Sequence, residues 1–399
     1  MTNESPPTLN DACEFIVDCL HATAPTESGG YPLIRTPNIG KGRLDLTDVQ
    51  RVSEDTYQIW TKRAVPEPGD LILAREAPAG NVAIVKEGEK VCLGQRTVHL
   101  RPDSTKVDPD FLCYFLLAPP QQGKLMAGET GATAKHVNMK DIRRVELSGL
   151  PSLPDQRAAG SMLSAYDDLI ENNRRRMALL EEAARQLYRE WFVRLRFPGH
   201  EHTRITDGVP EGWERKTLGD VCKEIRETVQ PDALEPDTPY IGLEHLPRRS
   251  IALGEWGTTE QVTSSKHRFR EGDILFGKIR PYFHKVGMAF VDGAASSDAI
   301  VIRPTEPGLR GFVLMTVSSD PFVALTAQTM KEGSKMPRAD WKQMQAYSAP
   351  LPPAGLLNSF DGTIHRIVEQ LKTLTFADQK LRAARDLLLP RLMNGEIVV

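Results

Sequence analysis

Cysteine is sparse and unpatterned in this 399-residue sequence. Cys13, Cys19, Cys92, Cys113 and Cys222 form no C-x-x-C pair and are odd in number, which excludes a zinc ribbon and a disulfide framework. They read as reduced, buried thiols of a cytosolic protein. Long apolar runs are absent too, none approaching the roughly 18 residues that suggest a membrane span. The opening MTNESPPTLND is polar and slightly acidic, unlike a secretory signal, so the expected location is cytoplasmic. There is no excess of positive charge: 50 Lys and Arg stand against 53 Asp and Glu. Any surface for a polyanion must therefore be a local patch, or be completed by a more basic partner.

Catalytic motifs are missing as well. The Pro-Pro steps read SPPT, APPQ and LPPA, and none fits the [DNS]-P-P-[YFW] turn of an amino-methyltransferase. Gly123 to Thr130, GKLMAGET, has the glycines and Thr of a P-loop, but Glu129 stands where a lysine must reach phosphate. This segment reads as a loop. Glu214-Arg215-Lys216 has the E-x-K shape of a metal-dependent nuclease but falls in the expected linker before a second domain. The histidines form no H-E-x-x-H site. The expectation is a chain that is not an enzyme by itself and holds no metal or cofactor.

What the sequence does have is repetition. A single core rarely grows past about 250–300 residues, and this chain is written twice. Gly69-Asp70-Leu71-Ile72-Leu73 resembles Gly272-Asp273-Ile274-Leu275-Phe276, and Pro32-Leu33-Ile34 resembles Pro239-Tyr240-Ile241. Thr8-Leu9 followed by Cys13 resembles Thr217-Leu218 followed by Cys222. GATAKH from Gly131 falls beside GSKMPR from Gly333, and Ala183-Ala184-Arg185 beside Ala383-Ala384-Arg385. An ordered series of matches at a nearly constant offset marks two homologous halves. Each half opens with short β-rich runs between Gly, Pro, Asn and Asp turns: Leu71–Leu73, Val82–Val85 and Val98–Leu100 in the first, Asp273–Phe276, Val286–Val291 and Ala299–Ile302 in the second. A compact helical stretch follows, Phe111–Leu117 or Gly311–Thr316.

The period then changes. Leu163, Tyr166, Ile170, Asn173, Met177, Leu180, Ala184, Leu187 and Trp191 alternate in steps of three and four, a coiled-coil seam. Pro154 suits the first helical turn and Pro198-Gly199 its end. The second tail carries Phe360, Ile364, Ile367, Leu371, Leu374, Leu381 and Leu388, interrupted by Asp378 and followed by Pro390 and Asn394-Gly395. The two helices are plausible partners in an antiparallel pair.

At this point the residues resemble a family. LPSLPDQR from Leu150, SAYDDLIENNR from Ser164 and LYREWF from Leu187 are similar to the central conserved region of type I restriction-modification specificity subunits. Gly212-Trp213-Glu214, leading into Thr217-Leu218-Gly219-Asp220, is similar to the entry into a recognition domain, and LLLPRLMNGEIVV from Leu387 to the family's C-terminal ending. Asp155 replaces the usual Glu, Leu351-Pro352-Pro353 is not followed by an EQ signature, and the N-terminal half lacks a G-W-E lead-in. The resemblance implies an α+β fold: two mixed α/β target-recognition domains separated by two long helices that form an antiparallel coiled coil, with a pseudo-twofold internal repeat. The implied division is a first recognition domain over 1–151, a central helix over 152–197, a linker over 198–212, a second recognition domain over 213–351 and a C-terminal helix and tail over 352–399. It further implies a non-catalytic subunit that reads double-stranded DNA. Two modification subunits would bring S-adenosylmethionine and methylate adenine, and separate restriction subunits would bring ATP and Mg.

Readers of sequence need Arg, Lys, Asn, Gln or hydroxyl side chains on loops, with cations for phosphates. The candidates are Lys41, Arg43, Arg75, Lys135, His136 and Asn138 in the first half. In the second they are Arg248, Arg249, Lys278, Arg280, Tyr282, His284, Lys285, Lys335 and Arg338. The strongest local signal is Gly277–Lys285, GKIRPYFHK, which is basic, aromatic and turn-rich directly after an expected strand. Two rival readings fit the same residues: a DNA-binding adaptor of another phage-defence complex, and a coiled-coil scaffold for protein partners.

Overall fold

The computed structural model describes residues 6–127, 136–328 and 337–397. It divides into two compact units: Met1–Glu171 with Lys380–Val399, and Asn172–Gln379. The division falls within the long helices, so each unit owns part of both.

The first unit is built on a five-stranded sheet: β1 (Cys13–Asp18), β2 (Gly42–Arg43), β3 (Leu71–Ala74), β4 (Val82–Ile84) and β5 (Thr97–Pro102). Their order is β1-β5-β3-β4-β2. All pairings are antiparallel except β2 with β4. Helices α1 (Pro109–Leu117), α2 (Pro119–Met126) and α3 (Met139–Arg143) follow. Residues 123–126 lie inside α2, so the first half of the Gly123–Thr130 segment expected as a loop is helical, and residues 128–130 lie outside the described residues. The central strands β3 and β4 are buried on both faces, which is why they read as continuous apolar runs rather than alternating ones.

The second unit repeats this plan. β6 (Cys222–Ile225), β7 (Ala252–Leu253), β8 (Ile274–Gly277), β9 (Val286–Ala289) and β10 (Ala299–Pro304) take the order β6-β10-β8-β9-β7. Again only the last pair, β7 with β9, is parallel. Register is repeated as well: Leu71 faces Leu100 and Ile84, as Ile274 faces Ile302 and Met288. A smaller sheet in each unit pairs Tyr31–Ile34 with Cys92–Leu93 and Pro239–Ile241 with Gly293–Ala295, both in parallel. Helices α5 (Arg310–Val317), α6 (Asp320–Gln328) and α7 (Trp341–Met344) close the second unit's domain. Glu214–Thr217 is a strand against Ser348–Leu351 rather than linker, and Lys216 is held by Glu214 itself at 2.9 Å.

The duplication extends to the electrostatics. Asp70 is buried and bound by Arg101 at 2.8 and 2.9 Å, and by His99 at 2.6 Å. Asp273 is buried and bound by Arg303 at 2.6 and 2.7 Å. Each carboxylate also accepts the backbone N–H three residues before it. Burial by itself raises the Asp70 pKa, but the hydrogen bonds from Arg101 and His99 outweigh it and hold the carboxyl below the usual range.

α4 (Leu153–Tyr188) has 36 residues and passes into a π-helical turn at Arg189–Val193, before Pro198 is reached. α8 (Ala354–Met393) has 40 residues and runs through Pro390, ending at Asn394-Gly395, where Gly395 takes φ 77°. Within the second unit the pairing is antiparallel. Asn173 Nδ2 donates to Asp378 Oδ1 at 2.8 Å near one end, and the Phe192 and Phe360 rings lie 4.8 Å apart, edge to face, at the other. Asp378, which interrupts the apolar pattern, is thus a buried polar partner of another seam residue. Such a pair favours one register over its neighbours, because a slip breaks the hydrogen bond across the seam. In the first unit Arg385 donates to the buried Asp167 at 2.6 Å, and Asp167 also accepts the Tyr114 hydroxyl of α1 at 2.6 Å.

Domain and helix are fitted by small residues, differently in each copy. A Cβ on Gly160 of α4 would meet the Phe111 backbone nitrogen at 2.7 Å. In the second unit the glycine is on the domain side, Gly311, and its N–H donates to Asp361 of α8 at 2.6 Å.

Asp273→Ala would strand Arg303, and the expected loss is about 3 kcal/mol of stability, measured by urea unfolding. Asp361 behaves oppositely. Burial raises its pKa from 3.8 against the weaker lowering by Gly311, so the folded state resists its ionisation and loses stability as pH rises through the folded pKa. Asp361→Asn keeps the acceptor without the charge. It should raise the melting temperature at pH 7, with the gain shrinking as pH falls towards 3.8.

Candidate nucleic-acid interface

The β8–β9 connection carries the KIRPYFH run, and its backbone is held in an unusual form. Arg280 and His284 have positive φ, 50° and 54°, and Arg249 of a neighbouring loop has 55°. Left-handed backbone is disfavoured by about 1–2 kcal/mol per residue away from glycine. Short-range bonds maintain it here: Arg280 N–H donates to the Pro337 carbonyl at 3.0 Å, His284 N–H to Pro281 at 2.8 Å and Arg249 N–H to His284 at 2.9 Å.

This frame displays cations on an aromatic platform. The Arg248 guanidinium lies 4.2 Å from the Phe283 ring centroid and that of Arg280 5.8 Å from the same centroid. Both arginines are exposed, and neither has a carboxylate partner among the described residues. Tyr282, 53% exposed, packs edge-on against Phe283 at 5.0 Å. Lys285 donates to the Leu243 carbonyl. Its pKa is lowered by burial first and then by Arg248. Glu244 offsets part of this charge at Lys285; the two guanidinium groups on one ring still repel one another, an arrangement that an anionic ligand relieves.

Other candidates are tied into the protein. Lys278 is lowered in pKa mainly by burial and donates to the Ser297 carbonyl at 3.0 Å. His284 is buried with Nε2 2.7 Å from the Ser318 carbonyl. Its pKa too is lowered, chiefly by burial. Arg249 pairs with Asp320 at 3.0 Å, and Arg338 with Asp298 at 3.5 Å, both on the surface.

The first unit presents a different surface from the same frame. Arg75 and Lys278 are equivalent: Arg75 accepts from Val137 N–H as Lys278 accepts from Ala339, at 3.0 and 2.8 Å. Arg75 is buried, donating to the Val137 carbonyl at 3.0 Å and lying 2.6 Å from His136. His136 and Arg96 both engage Glu76, at 2.7 and 3.0 Å. Arg43 pairs with Asp168 and Ser164 of α4, at 2.7 and 2.8 Å, anchoring domain to helix. Asn138 is the N-cap residue of α3, where Asp340 caps α7. Lys41 is exposed. Lys135 and Lys335 lie outside the described residues.

The sequence marked the GKIRPYFHK run by composition but not Phe283 as the platform, nor the buried Tyr114–Asp167–Arg385 network, whose members are far apart in the chain. Among the described residues no group of three or more His, Cys, Asp or Glu could hold a metal ion, and no helix is long and apolar enough to cross a membrane.

Residues 8–182 match the family model of the type I restriction modification DNA specificity domain. The chain is 23% identical over 374 residues to the type I restriction enzyme MjaIX specificity subunit of Methanocaldococcus jannaschii, covering 90% of this chain and 83% of that one. It is also 23% identical over 299 residues to the EcoDI specificity subunit of Escherichia coli, covering 69% and 65%. Its fold is similar to the crystal structure of a type I restriction-modification S subunit from M. genitalium, with a TM-score of 0.59 at 14% identity over 98% of this chain and 97% of that one. Domain match, length-spanning relatives and duplicated α+β fold agree: residues 8–182 match the type I restriction modification DNA specificity domain, and the chain is similar over most of its length to type I restriction enzyme specificity subunits.

Proposed function

We propose that this chain is the non-catalytic, sequence-reading subunit of a type I restriction-modification complex, each globular domain reading one part of a bipartite, asymmetric DNA site. The observation that carries the reading is the Arg248–Arg280 pair on Phe283, with no carboxylate partner among the described residues, within one of two homologous domains. Guanidinium groups on an ordered loop suit both phosphates and base edges. The long helices fix the unread gap between the two parts and dock two modification subunits. S-adenosylmethionine belongs to those subunits, and ATP and Mg to separate restriction subunits. The buried seam pair Asn173–Asp378 supports a spacer role, since a gap of fixed length needs helices that cannot slip.

Co-expression with the modification subunit, followed by mapping of N6-methyladenine, tests the proposal. The expected product is a two-part motif with an unread gap. Exchanging residues 210–350 for another reader should change one part alone; a change in both contradicts modular reading. Removing about one helical turn from residues 155–192 should shorten the gap, and an unaltered gap refutes the spacer role. Lys285→Ala or Arg248→Ala should weaken binding to all sequences, each lowering the slope of log affinity against log salt by about 1.

A further inference from the structure

The sequence repeat aligns Arg185 with Arg385 and Arg189 with Leu389. In each unit these two positions line a cavity where a long helix meets the globular domain. The second unit's cavity has a volume of about 280 Å³. Arg185, Tyr188 and Arg189 line it from the long helix, Ser318 to Pro321 from the junction of α5 and α6, and Arg249 and His284 from the recognition loops. The first unit's cavity, of about 270 Å³, sets Arg385 and Leu389 against Lys41, Tyr114, Leu117 and Pro119. The inner arginine is held alike in both copies: Arg185 by Glu181 at 2.9 Å, and Arg385 by the buried Asp167 at 2.6 Å. The outer position differs. Leu389 packs against the first unit's core, whereas Arg189 is exposed and has no ion pair among the described residues.

We infer that the second unit's cavity binds a phosphate of the DNA backbone, with Arg189 as the contacting cation. The inference rests on the DNA-reading role proposed above and adds to it a contact from the long helix that carries no sequence information. Three guanidinium groups line the cavity against one carboxylate, Asp320, which already pairs with Arg249 at 3.0 Å. The site is continuous with the recognition loops: Arg185 donates to the Arg249 carbonyl, and Arg249 N–H donates to that of His284 at 2.9 Å. Neutralising a phosphate is electrostatic and independent of sequence, so it requires a cation within reach rather than a fixed fork. An acidic side chain of a modification subunit would satisfy the same charge. A partner docking alike on both halves, however, would meet the same chemistry in each. The outer cation instead varies with the recognition loop. It is arginine in the unit whose loops set Arg248 and Arg280 on Phe283, and leucine in the unit whose loop is neutralised through Glu76.

The test is binding of the full chain, in complex with its modification subunit, to duplexes carrying the methylated motif. Affinity is measured over a range of salt, and on duplexes with a neutral methylphosphonate at one phosphate at a time. Arg189→Leu copies the residue at the equivalent position of the first unit, Arg189→Gln is a second variant, and melting curves confirm folding. Both variants should lower the slope of log affinity against log salt by about 1, and Arg189→Lys should retain it. One methylphosphonate that weakens wild-type binding should have no further effect on Arg189→Leu, and the motif should stay the same. An unchanged slope in both neutral variants overturns the inference. A changed motif overturns it too, by making Arg189 a reader of bases. Loss of the modification subunit with the slope intact overturns it in favour of a carboxylate site for that partner. A wild-type complex that binds no duplex specifically overturns the DNA-reading role and the inference together.

Discussion

Neither domain can close its core without residues from both long helices. In the first unit Ala159 and Leu163 of α4, with Leu392 and Met393 of α8, are buried in one cluster with Phe111, Leu112 and Tyr114. In the second, Tyr188, Trp191 and Phe192 from the α4 end share a cluster with Phe360, Ile364, Phe312 and Phe322. A fully buried aromatic or large aliphatic side chain contributes about 1.5–3 kcal/mol, so each domain's stability is tied to the helix pair. Helix register and domain attachment are therefore one problem, and the buried polar contacts Asn173–Asp378 and Tyr114–Asp167–Arg385 are where that register is specified.

That constraint explains how the loops are used. With the sheets and helices occupied in holding the core, variation is left to the connections, as is usual for functional residues on a rigid scaffold. The two copies of the loop after the central strand keep the ladder bonds at Arg75 and Lys278. Everything displayed from that frame differs. One copy is internally neutralised through Glu76, His136 and Arg96. The other carries guanidinium groups on Phe283 that have no carboxylate partner among the described residues.

Much of this was legible in the sequence. The duplication, the central strands and the two seams followed from spacing, because burial on both faces demands unbroken apolar runs and helix pairing demands the alternation of three and four. Basic composition singled out the second loop, where the structure gathers Arg248 and Arg280 on Phe283. Composition overvalued the first unit's Arg75 and Arg43, since a charged side chain that anchors a fold and one that awaits a ligand are the same letters. Asp378 read as a defect in the seam because its partner, Asn173, lies some two hundred positions earlier.

By itself, the sequence determined the resemblance to type I specificity subunits, the internal repeat and the kinds of secondary structure, all of which depend on local periodicity and on motifs within one stretch of chain. Tertiary structure alone decided which cations are neutralised, which ring supports Arg248 and Arg280, and that Arg75 and Lys278 make the same ladder bonds. Those facts depend on distances between residues remote in sequence, and charge pairing, ring stacking and ladder bonds are set by such distances.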